Sequence, residues 1–385
     1  MNTVRKRLKT SLLSLSMRTR VEQRASRCVA ACIELWMRYS TGTHPKIRVD
    51  FMRQNADTEG FLRRIAETDG TTEDDLVAIR ERHRKTTGYS PLTDQSIDAW
   101  RRFRQGQTLA EEDQAALEAI VVPNGLRPAF DVINDSFVDL PSPWTDVNAH
   151  RTFVERCIRG IGRIDIPGHA SFNFAGTGFV VAEDLLLTNR HVAEIFCQSG
   201  ANGMSFTPGV TPHVDFKQEV GSAATVTISI TAPILVLPNW DAALLRVNGL
   251  PSGAVPLPLS SQPLADGNGR LSAIIGYPAL DSETSADEII QQLDIFRGVF
   301  DKKRMQPGRL LGIRDKVSFG QTVKALGHDC TTLGGSSGSA LLDLESERIV
   351  GLHFDGDYLV ANYAVPASAL ASEKRLHDEG VKFQD

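Results

Sequence analysis

The stretch Thr331-Thr332-Leu333-Gly334-Gly335-Ser336-Ser337-Gly338-Ser339-Ala340-Leu341 decides how this chain is read. Its glycines permit backbone angles closed to other residues, so the chain can turn tightly there and expose its amide N–H groups. Ser337, held in such a turn, would attack a carbonyl carbon while the N–H groups of Gly335 and Ser337 received the negative charge that develops on oxygen. A Gly/Ser run is equally the composition of an ordinary loop, so the reading depends on what else the chain supplies.

A nucleophilic serine needs a base, and the base needs a partner. Working outward, Asn239-Trp240-Asp241-Ala242-Ala243-Leu244-Leu245-Arg246-Val247 places an acid at the opening of an otherwise apolar strand. An unpaired buried carboxylate costs several kcal/mol, and a histidine N–H is the partner a hydrolase would give it. Asp215 is a weaker competitor for that role, and a strand-edge turn is the bland reading of Asp241. Further upstream, Gly176-Thr177-Gly178-Phe179-Val180-Val181, then Leu185 to Thr188 and Asn189-Arg190-His191-Val192, read as a strand, a turn and a histidine at the end of the next strand.

The chain order His191, Asp241, Ser337, each in its own setting, carries a specific resemblance. His191 lies in Thr-x-x-His-Val, Asp241 precedes Ala-Ala-Leu-Leu, and Ser337 lies in Gly-x-Ser-Gly-Ser. Residues 151–385 therefore resemble the trypsin-like family of serine proteases. The resemblance implies an all-β double barrel of the chymotrypsin-like protease fold, with the site in the cleft between barrels. It also implies peptide-bond hydrolysis through an acyl-enzyme: His191 as general base and then general acid, Asp241 fixing its tautomer, Ser337 as nucleophile. A protein or peptide substrate is then required and no cofactor is. Trypsin-type zymogens carry an Asp just before the nucleophile, whereas this chain has Ser336, so activation by an ion pair to a freshly cut N-terminus is not implied.

Around the primary specificity pocket, Ile349-Val350-Gly351-Leu352-His353-Phe354 is similar to the pocket strand of bacterial glutamyl endopeptidases, with Thr332 five residues before Ser337. In those enzymes a Thr hydroxyl and a His ring bind the substrate carboxylate, which suits one neutral and one potentially cationic donor. Viral proteases of this fold use a similar pair for glutamine. Glu before the scissile bond is the first expectation for Thr332 and His353, Gln or Asp the next. Asp355, if it also pointed inward, would repel an acidic substrate.

Two other readings are open. Gly334-Gly335-Ser336-Ser337-Gly338 also fits Gly-x-Ser-x-Gly, the nucleophile elbow of a different hydrolase fold, with Ser336 attacking. That fold needs its acid and histidine after the serine, and here the best candidates precede it. The alternative to an enzyme is a catalytically weak, protease-like binding or adaptor module, whose usual mark is a missing triad residue; all three are present.

The rest of the 385 residues extends this reading. Four segments are expected: a basic, partly helical N-terminal segment over 1–55, a helical domain over 56–121, a linker with a short hairpin over 122–150, and the protease domain over 151–385. Residues 1–48 hold eleven Lys/Arg against two Glu, a balance of +9 in a chain of net charge −5. Such an arm is either a solvated helical face or a contact for an anionic partner. Helical periodicity recurs between 57 and 121, with Phe61, Leu62 and Ile65 as one stripe, Ile97, Trp100 and Phe103 as another, and a capping box at Thr108 and Glu111. This helical region is a candidate dock for a regulatory partner. At 225–231, Val226, Ile228 and Ile230 alternate with Thr and Ser as a strand, and 367–377 reads as one terminal helix held by Leu370. The five cysteines are an odd number without framework spacing, and Val192 follows His191 where secreted trypsins carry a cysteine, so a reducing, cytoplasmic setting is expected, and the resemblance to bacterial enzymes implies a bacterial one. No apolar run is long enough to span a membrane, no histidine or cysteine cluster has metal-ligand spacing, and there is no phosphate loop.

Overall fold

Short apolar strands separated by Gly and Pro turns close into a barrel twice. The computed structural model describes Val77, Arg80, Glu81, residues 94–105, Gln107 and residues 128–385, the last without 142, 201–202, 265–267, 282–288, 290–291, 294 and 358–360. All of them belong to one unit, 57–385. Helix α1 (Asp94–Arg104) buries Ile97 and Trp100; the other helical patterns expected between 57 and 121, and the basic segment, lie outside the described residues.

Strand β1 (Phe130–Asp131), a 3-10 turn (Thr145–His150) and helix α2 (Arg151–Arg159) lead into the first barrel. Then come β2 (Ile161–Asp165), β3 (Phe174–Ala182), β4 (Leu185–Thr188), helix α3 (Arg190–Phe196), a small ribbon of β5 (Cys197–Gly200) with β6 (Gly203–Phe206), and β7 (His213–Asp215), β8 (Thr227–Val236) and β9 (Ala243–Val247). The barrel closes in the order β2-β3-β4-β9-β8-β7. Strand β8 runs five residues beyond the alternating stretch that announces it. It accommodates Pro233 because the pairing with β9 slips on either side of that residue, and an irregular ladder is where a strand tolerates a missing N–H.

The second barrel takes β10 (Leu259–Ser260), β11 (Leu271–Gly276), β12 (Arg304–Ser318), β13 (Gln321–His328), β14 (Ala340–Asp343), β15 (Arg348–Asp357) and β16 (Ala361–Pro366). The β14–β15 pairing closes β14-β11-β12-β13-β16-β15 on itself, with β10 added alongside β15 and β1 against β12. Helices α4 (Ala367–Leu370) and α5 (Lys374–Asp378) follow, and β17 (Phe383–Gln384) pairs with β10. The single terminal helix expected over 367–377 is thus two short ones. Glu373 adopts an extended conformation that breaks the helical path, while Leu370 is fully buried as anticipated.

Strand β4 explains how the barrels meet. Leu186 points into the first barrel with Ile164, Val180, Val214 and Leu245, while Leu185 and Leu187 face the other way, into a core shared with Ala273, Ile275 and Tyr277 of the second barrel. A strand buried on both faces reads as a continuous apolar run, and Leu185-Leu186-Leu187 is one. The interior of the second barrel is built from Ile274, Leu310, Leu326, Leu341, Val350 and Ala364. The segment read as a linker contributes to the shared core: Val132, Phe137, Leu140, Trp144 and Val147 are buried in it, and Asn134 and Asp135 turn the chain between the bridged residues Ile133 and Ser136.

Polar clamps reinforce the junction. The fully buried Lys303, at the entry to β12, donates from Nζ to the Ile158 carbonyl (2.8 Å) and the Phe216 carbonyl (2.6 Å), tying the second barrel to α2 and to the first. Burial pushes its ammonium down to about 7, with nearby carboxylates led by Asp135 pulling the other way. Its neighbour Arg304 pairs with the Asp131 carboxylate and donates to the Phe296 (3.0 Å) and Val299 (2.8 Å) carbonyls.

Candidate active site

Strand β4 ends at Thr188, and the extended Asn189 turns the chain directly into α3. His191 therefore sits on the first turn of a helix, not at a strand end as the sequence reading had it. The helix forms because Val192, Ala193 and Phe196 share a buried face and Arg190 bridges to Glu194 one turn on (2.8 Å). His191 is left on the open face, its side chain 38% exposed.

Asp241 lies in the tight connection between β8 and β9 and is 4% exposed. Its two oxygens bind the same residue: Oδ1 accepts the His191 backbone N–H (3.0 Å) and Oδ2 lies 2.6 Å from Nδ1 of the ring. That fork fixes both the position and the rotation of the imidazole. With the proton on Nδ1 facing the carboxylate, Nε2 keeps its lone pair. The connection is stitched to the histidine turn by Asn189, whose Nδ2 donates to the Asp241 carbonyl (2.8 Å). Asp215, the competing acid, accepts instead from the N–H groups of Lys217 and Val226 and from Gln218 Nε2, so it organises its own loop.

The 334–338 turn comes against this pair through β3. Gly176 leaves so little room that an added Cβ would lie 2.9 Å from the Ser337 carbonyl oxygen and 3.0 Å from Val192, next to His191. The serine turn and the histidine helix thus approach one strand at one residue. Two glycines in the turn are obligatory: Gly335 (φ +82) and Gly338 (φ +90) are left-handed, and a side chain would overlap the Tyr277 carbonyl in the first case and the Thr177 carbonyl in the second. Ser336 is fully buried with Oγ accepting from the Leu333 N–H (3.4 Å), whereas Ser337 is half-buried. An attacking Ser336 is disfavoured by that burial.

The peptide planes of this turn are held by their carbonyl ends. Gly334 O accepts from Ala279 N (2.7 Å), Gly335 O from Thr177 Oγ1 (2.8 Å), Ser336 O from Ser339 N (3.0 Å) and Ser337 O from Thr177 N (2.9 Å). The N–H groups of Ser336 and Gly338 are used by the Leu333 and His353 carbonyls, while those of Gly335 and Ser337 make no hydrogen bond among the described residues. An anion near Ser337 would find two unspent donors whose directions are already set.

His353 and Thr332 come to the same strand. His353 lies on the barrel-interior side of β15, opposite Ala364, and its Nδ1 is 3.2 Å from Nε2 of the fully buried His328. Burial, and then the proximity of His191, push the His353 imidazole down to about 3, against a backbone hydrogen bond at Tyr363. The Thr332 hydroxyl lies near Gly356, 3.8 Å from where a Cβ would stand. Asp355 does not share the His353 face. The ladder slips between them, so His353 pairs with Ala364 and Asp355 with the adjacent Tyr363, which turns the carboxylate to the opposite side, where Lys316 meets it at 3.1 Å. Sequence reasoning missed Thr177, Asn189, Ala279 and His328. The first stood inside a quoted Gly-Thr-Gly, but nothing local names its partner 158 residues away. Among the described residues no three His, Cys, Asp or Glu side chains converge as a metal site would need, and no helix is long and apolar enough to cross a membrane.

Comparison with known proteins bears on this arrangement. A family model described as a trypsin-like peptidase domain matches residues 176–352, a span that contains His191, Asp241 and Ser337 and ends one residue before His353. A probable serine protease of Lysobacter enzymogenes is 30% identical over 313 residues, covering 73% of this chain and 80% of the relative. Among solved structures, the active form of the Rv3671c protease from M. tuberculosis is similar with 19% identity and a TM-score of 0.42, over 66% of this chain and 95% of that one. Deg5 is similar with 15% identity and a TM-score of 0.43, over 62% and 97%.

Proposed function

Since the chain belongs to the trypsin-like serine proteases and is a serine endopeptidase, we propose that His191, Asp241 and Ser337 are its catalytic triad, with Gly335 and Ser337 supplying the oxyanion hole. The observation that carries the assignment is the forked Asp241–His191 pair next to a serine turn with two unspent N–H donors. Nε2 of His191 takes the Ser337 hydroxyl proton as Oγ bonds to the scissile carbonyl carbon. The carbonyl π electrons move to oxygen, where the two N–H groups receive them, each worth about 3 kcal/mol in comparable enzymes. The imidazolium, stabilised by Asp241, gives its proton to the leaving amine as the C–N bond breaks, and water repeats the sequence on the acyl-enzyme.

For specificity we propose Glu before the scissile bond, then Gln or Asp, bound by Thr332 and His353. An imidazole pushed down to about 3 is neutral at physiological pH and offers an N–H to a carboxylate or carboxamide oxygen. The turning of Asp355 toward Lys316 removes the one carboxylate that would have opposed an acidic substrate. We further propose that a helical N-terminal domain docks a regulatory partner, that the +9 segment over 1–48 contacts an anionic one, and that the protein works in a bacterial cytoplasm. Free thiols at Cys157, Cys197 and Cys330, all buried, suit that compartment.

The deciding experiment is hydrolysis of peptides that differ only before the scissile bond, Glu, Gln, Asp, Lys and Phe, by the protein and its Ser337→Ala variant. Cleavage after Glu that vanishes in the variant supports triad and pocket together. Cleavage after Lys or Phe keeps the triad and removes the Thr332/His353 assignment. Activity surviving in Ser337→Ala removes Ser337 as nucleophile.

A further inference from the structure

We propose that Thr177 is the positioning residue of the oxyanion hole. The inference rests on the reading of Ser337 as nucleophile. A peptide unit is planar, so a carbonyl and the following N–H point in opposite directions, and fixing one fixes the other. Across 334–337 each carbonyl has a donor, and three of those donors are backbone N–H groups that any residue but proline could supply. The fourth is the Thr177 hydroxyl, on the Gly335 carbonyl at 2.8 Å; it fixes the plane that carries the Ser336 N–H and lies between the two planes that carry the Gly335 and Ser337 donors.

Thr177 does more than make one bond. It is fully buried, and its Oγ1 also lies 3.3 Å from the Tyr277 N–H, from which it accepts, so the hydroxyl's direction is set from both sides. Its own N–H holds the Ser337 carbonyl at 2.9 Å, and its carbonyl accepts from Thr188 Oγ1 at 2.7 Å, at the end of the strand that leads to His191. One residue of β3 therefore grips the peptide planes on both sides of Ser336 and Ser337 and joins them to the histidine strand. Gly335 is the residue whose N–H must face the oxyanion, and with φ +82 and no side chain it is the residue of the turn with the most freedom to rotate. The Thr177 hydroxyl holds the far side of that residue, as Ala279 holds the near side.

A contact that only glued the barrels together would change stability; one that aims a transition-state donor changes kcat. Two pairs isolate the hydroxyl: wild type against Thr177→Val, and Thr177→Ser against Thr177→Ala, the second pair sharing the loss of the methyl should the valine variant not fold. In each pair the hydroxyl-free member is expected to lose about ten- to hundredfold in kcat, less than outright removal of an oxyanion donor, with KM within about threefold. A peptidyl aldehyde, which becomes a tetrahedral adduct with its oxygen in the hole, should weaken by the same factor, while the matching product peptide binds unchanged. Equal kcat within either pair, a loss confined to KM, or undiminished aldehyde binding overturns the proposal. Ser337→Ala separates it from its premise: if that variant keeps activity the nucleophile reading fails, and if it is dead while the hydroxyl-free members turn over normally, only the role of Thr177 fails.

Discussion

The two barrels hold their shares of the site by different means. The first fixes His191 with a side chain, both oxygens of Asp241 being spent on one residue. The Ser337 turn of the second is fixed mainly with backbone, three of its four carbonyl anchors being amide N–H groups, one of which, with the single hydroxyl, comes from Thr177 of the first barrel. A side-chain clamp depends on residue identity and can be undone by changing one atom. A backbone clamp depends on the fold around it and is reached only through the glycines that allow it and the rare side chain, here Thr177, that takes part. The acid–base half should therefore fail sharply and locally under substitution, and the oxyanion half by loss of direction.

The largest effect is expected on the side-chain clamp. Asp241→Asn keeps an acceptor for the His191 backbone N–H but sets an amide N–H2 against Nδ1, so the imidazole moves its proton to Nε2 and can no longer accept one from Ser337. A fall of about 10⁴-fold in kcat near neutral pH with the fold intact is expected; steady-state kinetics beside circular dichroism would check it, and a loss below tenfold would remove Asp241 from its role. The backbone clamp is tested next by Gly335→Ala. The added methyl overlaps the Tyr277 carbonyl at a left-handed φ, so the turn must shift and carry its N–H away from the oxyanion. A fall in kcat of about 10²- to 10³-fold is expected, with a melting temperature lowered by several degrees for about 2–4 kcal/mol of left-handed strain and overlap. Near-normal turnover would mean that the Gly335 N–H is not a donor to the transition state.

The same contrast governs what could be read from residues alone. His191, Asp241 and Ser337 could be proposed from the residues because side-chain chemistry needs particular residue types in particular settings, and the double barrel followed from the family that those settings resemble. Gly335 and Gly338 were visible as glycines, though not the carbonyls that exclude a Cβ there. Ala279 could not have been found, since what it contributes is an N–H that every residue but proline has. His191 was placed at a strand end because Leu185-Leu186-Leu187-Thr188 reads as a strand and α3 has only seven residues, too short for periodicity to show. The role of residues 129–147 in the shared core was hidden by prolines at 128, 141 and 143, which interrupt regular structure without preventing burial.

The smallest effect, and one that leaves both clamps in place, concerns the junction on which they rely. Lys303 is a charge-bearing side chain put to backbone use: it spends its Nζ on the Ile158 and Phe216 carbonyls. Lys303→Met fills similar space and leaves those two acceptors buried without this donor, so a loss of about 2–3 kcal/mol is expected in urea unfolding, with kcat within about threefold of wild type. The pH dependence gives a sharper signature. Folding lowers this group from 10.5 to about 7, so between those values the unfolded chain binds a proton that the folded chain does not. Its contribution is complete above 10.5 and is lost as the pH falls through 7. Wild-type stability relative to Lys303→Met should therefore rise with pH across that window, by at most about 1.4 kcal/mol per pH unit. A difference that stays flat from pH 7 to 10 would mean that the ammonium keeps its proton inside the junction, compensated by Asp135 and Glu219, and that the barrels are joined by an ion cluster instead of a neutral amine.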